Sequence, residues 1–256
     1  MLLVVEVGNT NTKIGVYDGD RLRVSWRLTS RREQTADEYG VFIETLLRSR
    51  GIEPRSLDGV AISNVVPPVQ QTLEWMCEKY FGLTPYTVEP GVNTPMPMRV
   101  DTPREVGADR IIKSVAAAAL YAPPPLIVVD LGTATTFDCV SADGAFIGGA
   151  IAPGIGTATE ALVSRAARLY RVEFVRPKEA IGRNTVTNIQ SGVVYGYAGL
   201  VDGLVARMKA ELAGQAKVIA TGGYAALIAD VARSIDHVNE DLGLEGLRLL
   251  YERRLP

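Results

Sequence analysis

The sequence predicts an α/β protein of two related domains with a ligand cleft between them. Three observations carry this expectation. A strand followed by a polar turn occurs twice, about half a chain apart; each copy runs on into a hairpin; and the rest of the chain alternates helical and strand spacing. The expected domains are residues 1–121 and 122–256.

The repeat is explicit. LLVVEVGNTNT at Leu2–Thr12 matches LIVVDLGTATT at Leu126–Thr136, so that Glu6 falls on Asp130, Gly8 on Gly132 and Thr12 on Thr136. In each copy an apolar, β-branched run reads as a buried strand with an acid where it emerges. Glycine then permits a tight turn and close ligand approach, and Thr and Asn add hydroxyl, amide and backbone donors. Such a turn can cradle phosphate oxygens while the acid holds a cation. A polar hairpin turn without a ligand explains one copy equally well; two copies favour the binding reading. Asp18-Gly19 and Asp143-Gly144 are hairpin signals in the β-rich stretches that follow.

Between the copies, Asp37–Arg50 has helical spacing, with Tyr39, Phe42, Ile43, Leu46 and Leu47 on one face. GVAISNVV at 59–66 is a strand ending in Ser63 and Asn64, and Val69–Tyr80 a helix. Pro85–Pro103 is loop-like. A helix is expected from Asp109 to Tyr121, closing the first half. After the second copy, FIGGAIAPGIG implies close backbone approach, but its glycine spacing is not that of a dinucleotide fold. Thr157–Ala167 and Thr187–Leu212 are expected helices and Val218–Thr221 a strand. Gly222-Gly223 then forms a strand-to-helix turn, or a place where a flat base passes the backbone. The tail DLGLEGLRLLYERR is an amphipathic helix.

Composition narrows the chemistry. The formal net charge is −2 and the only basic run, Arg48–Arg55, is short, which argues against a nucleic-acid partner. Cys77 and Cys139 form no CxxC pair, which fits a reducing cytoplasm and argues against zinc. The apolar start is too short for a signal peptide, and Pro123–Pro125 break the apolar run at 115–129, so no membrane crossing is expected. A single histidine, His237, read as a surface-loop residue, leaves little room for His-based triads or multi-histidine metal sites. Carboxylates, Thr, Asn, Lys and Arg remain, a set suited to phosphoryl transfer.

Collected together, EVGNTNTKIGVYDG, ISNVVP, PREVGADRI, DLGTATTFD, GGAIAPGI, IGRNTVTNIQSG and TGG resemble the type III pantothenate kinases over nearly the whole chain. The resemblance implies two actin-like (ribonuclease H-like) domains with a nucleotide cleft, and ATP-dependent phosphorylation of pantothenate, which opens coenzyme A synthesis. It implies an ATP phosphate loop at Glu6, Val7, Gly8, Asn9, Thr10, Asn11, Thr12 and Lys13, completed by Thr133. It makes Asp109 the general base and Gly107, Ala108 and Arg110 substrate contacts. Asp130 becomes a ligand for a monovalent cation (K⁺ or NH₄⁺), with Mg²⁺ accompanying ATP. Thr185 becomes a pantothenate contact from the neighbouring subunit of a homodimer that shares its active site.

Read without the resemblance, Asp109 and Thr185 would cap the helices that start beside them, and Asp130 and Lys13 would be solvated strand residues. Two positions depart from the family pattern. Glu6 stands where the first loop usually has Asp; it is one methylene longer and is expected to organise Mg²⁺, through water if not directly. Val100 stands near a point where several members place tyrosine. The competing expectations are a non-catalytic transcriptional regulator related to the family, or a kinase acting on sugar or acetate, against which the GADR segment argues.

Overall fold

The computed structural model describes residues 1–121 and 123–253. Its contacts divide the chain into two compact units. The first holds Met1–Pro97, Asp101–Ala116 and the described residues from Gly243 on; the second holds Met98–Val100 and Ala117–Leu242.

In the first unit, β1 (Leu2–Val7) is central. It pairs antiparallel with β2 (Asn11–Asp18), which pairs antiparallel with β3 (Arg21–Thr29). On its other side β1 runs parallel to β4 (Gly59–Asn64), followed by the short parallel β5 (Tyr86–Thr87). Strand side chains alternate faces. Leu3, Val5 and Val7 therefore join one core cluster with Tyr39, Ile43 and Leu47 of α1 (Ala36–Ser49) and Leu73 and Met76 of α2 (Gln70–Met76). Helix α1 starts at Thr35, whose side chain accepts the Glu38 N–H while Glu38 accepts the Thr35 N–H, a capping box. A π-helical turn, Cys77–Phe81, continues α2, so the expected helix over 69–80 is present in two geometries.

Leu2, Val4 and Glu6 face the other way, toward α3 (Ala108–Leu120) and α7 (Leu242–Glu252). Glycines let α7 settle there. A Cβ on Gly246 would overlap the Ile112 carbonyl of α3, and one on Gly59 the Tyr251 hydroxyl. A Cβ on Gly15 would meet Leu244 Cδ1 at 3.1 Å. The tail helix, placed by position in the second half of the sequence, thus packs with the first unit. The boundary expected after residue 121 adjoins residue 122, which lies outside the described residues.

The second unit repeats the plan. β6 (Leu126–Leu131) pairs antiparallel with β7 (Ala134–Val140), which pairs antiparallel with β8 (Phe146–Pro153). β6 runs parallel to β9 (Lys217–Thr221), and β9 to the short β10 (His237–Val238). The orders β3-β2-β1-β4-β5 and β8-β7-β6-β9-β10 are the same topology. Ile127, Val129 and Leu131 pack with α5 (Thr185–Glu211) and α6 (Ala225–Ala229), and with Ile155 of α4 (Ile155–Arg165). His237 is exposed as expected, but on an edge strand rather than in a loop, its ring 5.0 Å from that of Tyr121.

Candidate functional site

Each sheet presents its acid at the same place. Glu6 is one residue from the end of β1, opposite Lys13 of β2 and Ser63 of β4. Asp130 is one residue from the end of β6, opposite Thr136 of β7 and Thr221 of β9. Directly opposed strand residues share a face, so each acid heads a short polar row across its sheet.

The turn after β1 is well built for an anion. Gly8 N–H donates to the Asn11 carbonyl at 3.0 Å, and a Cβ on Gly8 would sit 3.0 Å from that oxygen, so the turn favours glycine. The Ser30 hydroxyl donates to the Gly8 carbonyl at 2.7 Å, and Ser30 N–H donates to the Thr10 carbonyl. With the carbonyls tied down, Asn9, Thr10 and Asn11 lie exposed. Lys13 follows on β2, half-buried on the face of Glu6.

The expected base lies in the same unit. Gly107 precedes α3, and Asp109 is the second helical residue, so it is not the cap. Its Oδ1 accepts the Arg110 N–H at 3.0 Å, and its side chain is 29% exposed. Gly107 and Arg110 are half-buried beside it, and Ala108 is buried.

Lys113, one turn along α3, was not singled out by the sequence. Its Nζ is 2.9 Å from Glu6 Oε1 and 3.9 Å from Asp109 Oδ2. Lys113 and Glu6 side chains are only 9% and 8% exposed. The i,i+4 spacing from Asp109 was a visible signal; its partner Glu6 lies too far away in sequence to have been one. This placement bears on Mg²⁺. The Glu6 carboxylate is buried and already faces an ammonium, which makes it a poor fit for a divalent-cation ligand. Among the described residues no group of three or more acidic, His or Cys side chains could hold a metal ion.

In the second unit Asp130 is half-buried and Thr133 exposed. Gly222 has φ +95°, and a Cβ there would sit 2.5 Å from Asp130 Oδ1 and 2.7 Å from the Leu131 carbonyl oxygen. The Gly222 position is thus bounded by a carboxylate and a carbonyl oxygen, the hard-oxygen donor type that suits a monovalent cation. A Cβ on Gly154 would overlap the Thr133 carbonyl, which also accepts the Thr157 hydroxyl at 2.8 Å. Val100 is half-buried, its Cγ1 3.7 Å from where a Gly148 Cβ would sit. Asp138, fully buried on β7, went unnoticed in the sequence; its Oδ2 accepts from the Thr136 hydroxyl at 3.4 Å.

Thr185 is the first residue of α5, and Asn184 before it makes the cap, accepting the Thr187 N–H at 2.9 Å. The capping role open to Thr185 in the sequence is therefore taken by its neighbour. Thr185 instead lines a groove of 510 Å³ between α4 and α5, with Ala158, Leu162, Ile189, Val193 and Tyr197.

Known proteins resemble this chain in sequence and in fold. The sequence profile of the type III pantothenate kinases matches residues 2–207. A type III pantothenate kinase of Anaeromyxobacter sp. (strain K) is 53% identical over 253 residues, covering 99% of each chain. The fold resembles that of an inorganic polyphosphate/ATP-glucomannokinase from Arthrobacter sp. strain KM, with TM-score 0.53 and 12% identity over 98% of each chain. It also resembles a Campylobacter jejuni protein described as a Baf family transcriptional activator, with TM-score 0.58 and 18% identity over 98% of this chain and 97% of that one. At such identities the two structures speak for the actin-like fold alone.

Proposed function

Because this chain belongs to the type III pantothenate kinase family, we propose that it transfers the γ-phosphoryl group of ATP to the primary hydroxyl of pantothenate, giving 4′-phosphopantothenate. The observation that carries this reading is 53% identity to a named pantothenate kinase along 99% of both chains. A regulator without chemistry is not favoured.

The residues divide the work as follows. The turn from Gly8 to Thr12, with Lys13 and Thr133, receives the phosphates; its tied carbonyls and the exposure of Asn9, Thr10 and Asn11 support this. Gly107, Ala108 and Arg110 hold the acceptor, Arg110 through its forked donors. Asp109 takes the hydroxyl proton as the hydroxyl oxygen bonds to phosphorus and the bond to ADP breaks; its exposed edge at the start of α3 suits that role. Mg²⁺, when present, neutralises phosphate charge and is carried by ATP itself, with no ligand assigned to the protein. Asp130 and the Leu131 carbonyl, both beside the Gly222 position, would hold K⁺ or NH₄⁺.

The dimer belongs to the same proposal. Thr185 opens onto the apolar α4–α5 groove, and Leu162, Tyr170 and Ile181 nearby in sequence are 49%, 53% and 82% exposed. Apolar surface of this kind favours burial against a second subunit, which would then lend its Thr185 to the shared site. We place the enzyme in the cytoplasm, where ATP is supplied. Among the described residues no helix is long and apolar enough to cross a membrane.

A coupled ADP-release assay with ATP, pantothenate and K⁺ tests the reaction. Pantothenate-dependent ADP release is expected; its absence under every cation condition refutes the proposal.

A further inference from the structure

We infer that Lys113 is a positioning residue for Asp109, locked by Glu6 through space left at Gly243. The inference rests on the reading of Asp109 as the base.

Helix geometry places Lys113 directly one turn beyond Asp109. A lysine side chain is long and flexible, and burying its ammonium is costly unless an anion faces it. Glu6 supplies that anion at 2.9 Å, from the end of a central strand fixed by neighbours on both sides. The lysine therefore has one stable place, and that place is 3.9 Å from Asp109 Oδ2. The other carboxylate oxygen, Oδ1, accepts the Arg110 N–H. Both oxygens of the base thus face a fixed group, one a cation and one a helix amide, while part of the side chain stays exposed toward substrate.

Gly243 makes this possible. A Cβ there would overlap Glu6 Oε2 and lie 2.7 Å from Glu6 Cδ. Any other residue at the start of α7 would displace the carboxylate that holds Lys113. Glu6 Oε2 is itself buried with no hydrogen-bond partner, while Lys113 faces the other oxygen, Oε1, at 2.9 Å. The Glu6 carboxylate, the buried lysine and the glycine form one device.

The test compares K113M with the double variant E6Q/K113M, each measured for folding by thermal melt and for steady-state kinetics with ATP and pantothenate. K113M alone leaves Glu6 buried without its cation and will melt lower; E6Q/K113M removes both charges and is expected to regain the melt. If Lys113 positions the base, kcat of E6Q/K113M stays about 10–100-fold below wild type with both KM values within about threefold, since small misplacements of a base cost rate rather than binding. G243A is expected to show the same split. Recovery of wild-type kcat in E6Q/K113M, or undiminished kcat in K113M or G243A, would reduce the pair to a structural one and overturn the inference. A wild-type protein without pantothenate-dependent turnover would sink the kinase reading itself, and any role for Lys113 in positioning a base with it.

Discussion

The two sheets share one topology and carry an acid at the same register, yet the two acids live in different surroundings. Glu6 is buried, paired with Lys113 and closed over by α7. Asp130 is half-buried, its Oδ1 beside the Gly132 and Gly222 turns. The repeat fixes where an acid emerges; what packs on that face of the sheet decides what the acid does. In the first unit the covering helices bring a cation of their own. In the second, glycines at 132 and 222 leave carboxylate and carbonyl oxygens gathered at a turn.

This contrast can be broken or sharpened by substitution. The largest effect is expected from D109N, which removes the proposed proton acceptor: turnover should fall by about 10²–10⁴ with the melt unchanged. Residual turnover within tenfold of wild type would move the base elsewhere. Next comes the pair of acids. E6Q takes the nearest anion from a buried ammonium and should lower stability by about 3–5 kcal/mol, whereas D130N should cost about 1 kcal/mol or less and instead abolish stimulation by K⁺. Denaturant titration of both, with K⁺ titrated in the assay, separates these outcomes; equal destabilisation would erase the difference between the two acids. G222A should follow, because φ +95° and the 2.5 Å approach to Asp130 Oδ1 both oppose a side chain; a loss of about 1–3 kcal/mol together with a shifted K⁺ dependence is expected. An unshifted K⁺ response would detach Gly222 from the proposed cation site. The smallest effects belong to the caps. T35A in the first unit and N184A in the second each remove one capping box and should each cost about 1 kcal/mol by urea unfolding. If N184A also raises KM for pantothenate while T35A does not, the α5 start belongs to the substrate site.

Much of this was legible in the sequence, for local reasons. The apolar strands, the Gly8 and Gly132 turns and the amphipathic helices announce themselves through alternation, turn chemistry and helical period, all written in adjacent residues. Helix ends shifted by one or two residues: α3 begins at Ala108 rather than Asp109, and α4 at Ile155 rather than Thr157. The short strands β5 and β10 were missed, since two residues carry no period. The capping of α5 by Asn184 was within reach, because Asn-Thr-x-Thr is a cap signature that also left Thr185 as its neighbour. The Glu6–Lys113–Gly243 arrangement was not. Its three members come from a strand, a helix and a second helix far apart in sequence, and nothing local marks a glycine as room for a distant carboxylate. Asp138 was hidden for a similar reason: its register on β7 decides its burial, and register is a property of the sheet.

Seating α7 on the first unit has a consequence for synthesis. The sheet with Glu6 leaves the ribosome first, but the helix that covers one of its faces is made only after the whole of the second unit. At about 5–20 residues per second that face waits on the order of ten seconds for its cover. Helix α3 is made early and can cover part of that face, but the last strands of the second unit, β9 and β10, immediately precede α7, so the two units are completed almost together. Until then the strip of the Leu2–Val4–Glu6 face that α7 covers is the surface a chaperone would meet.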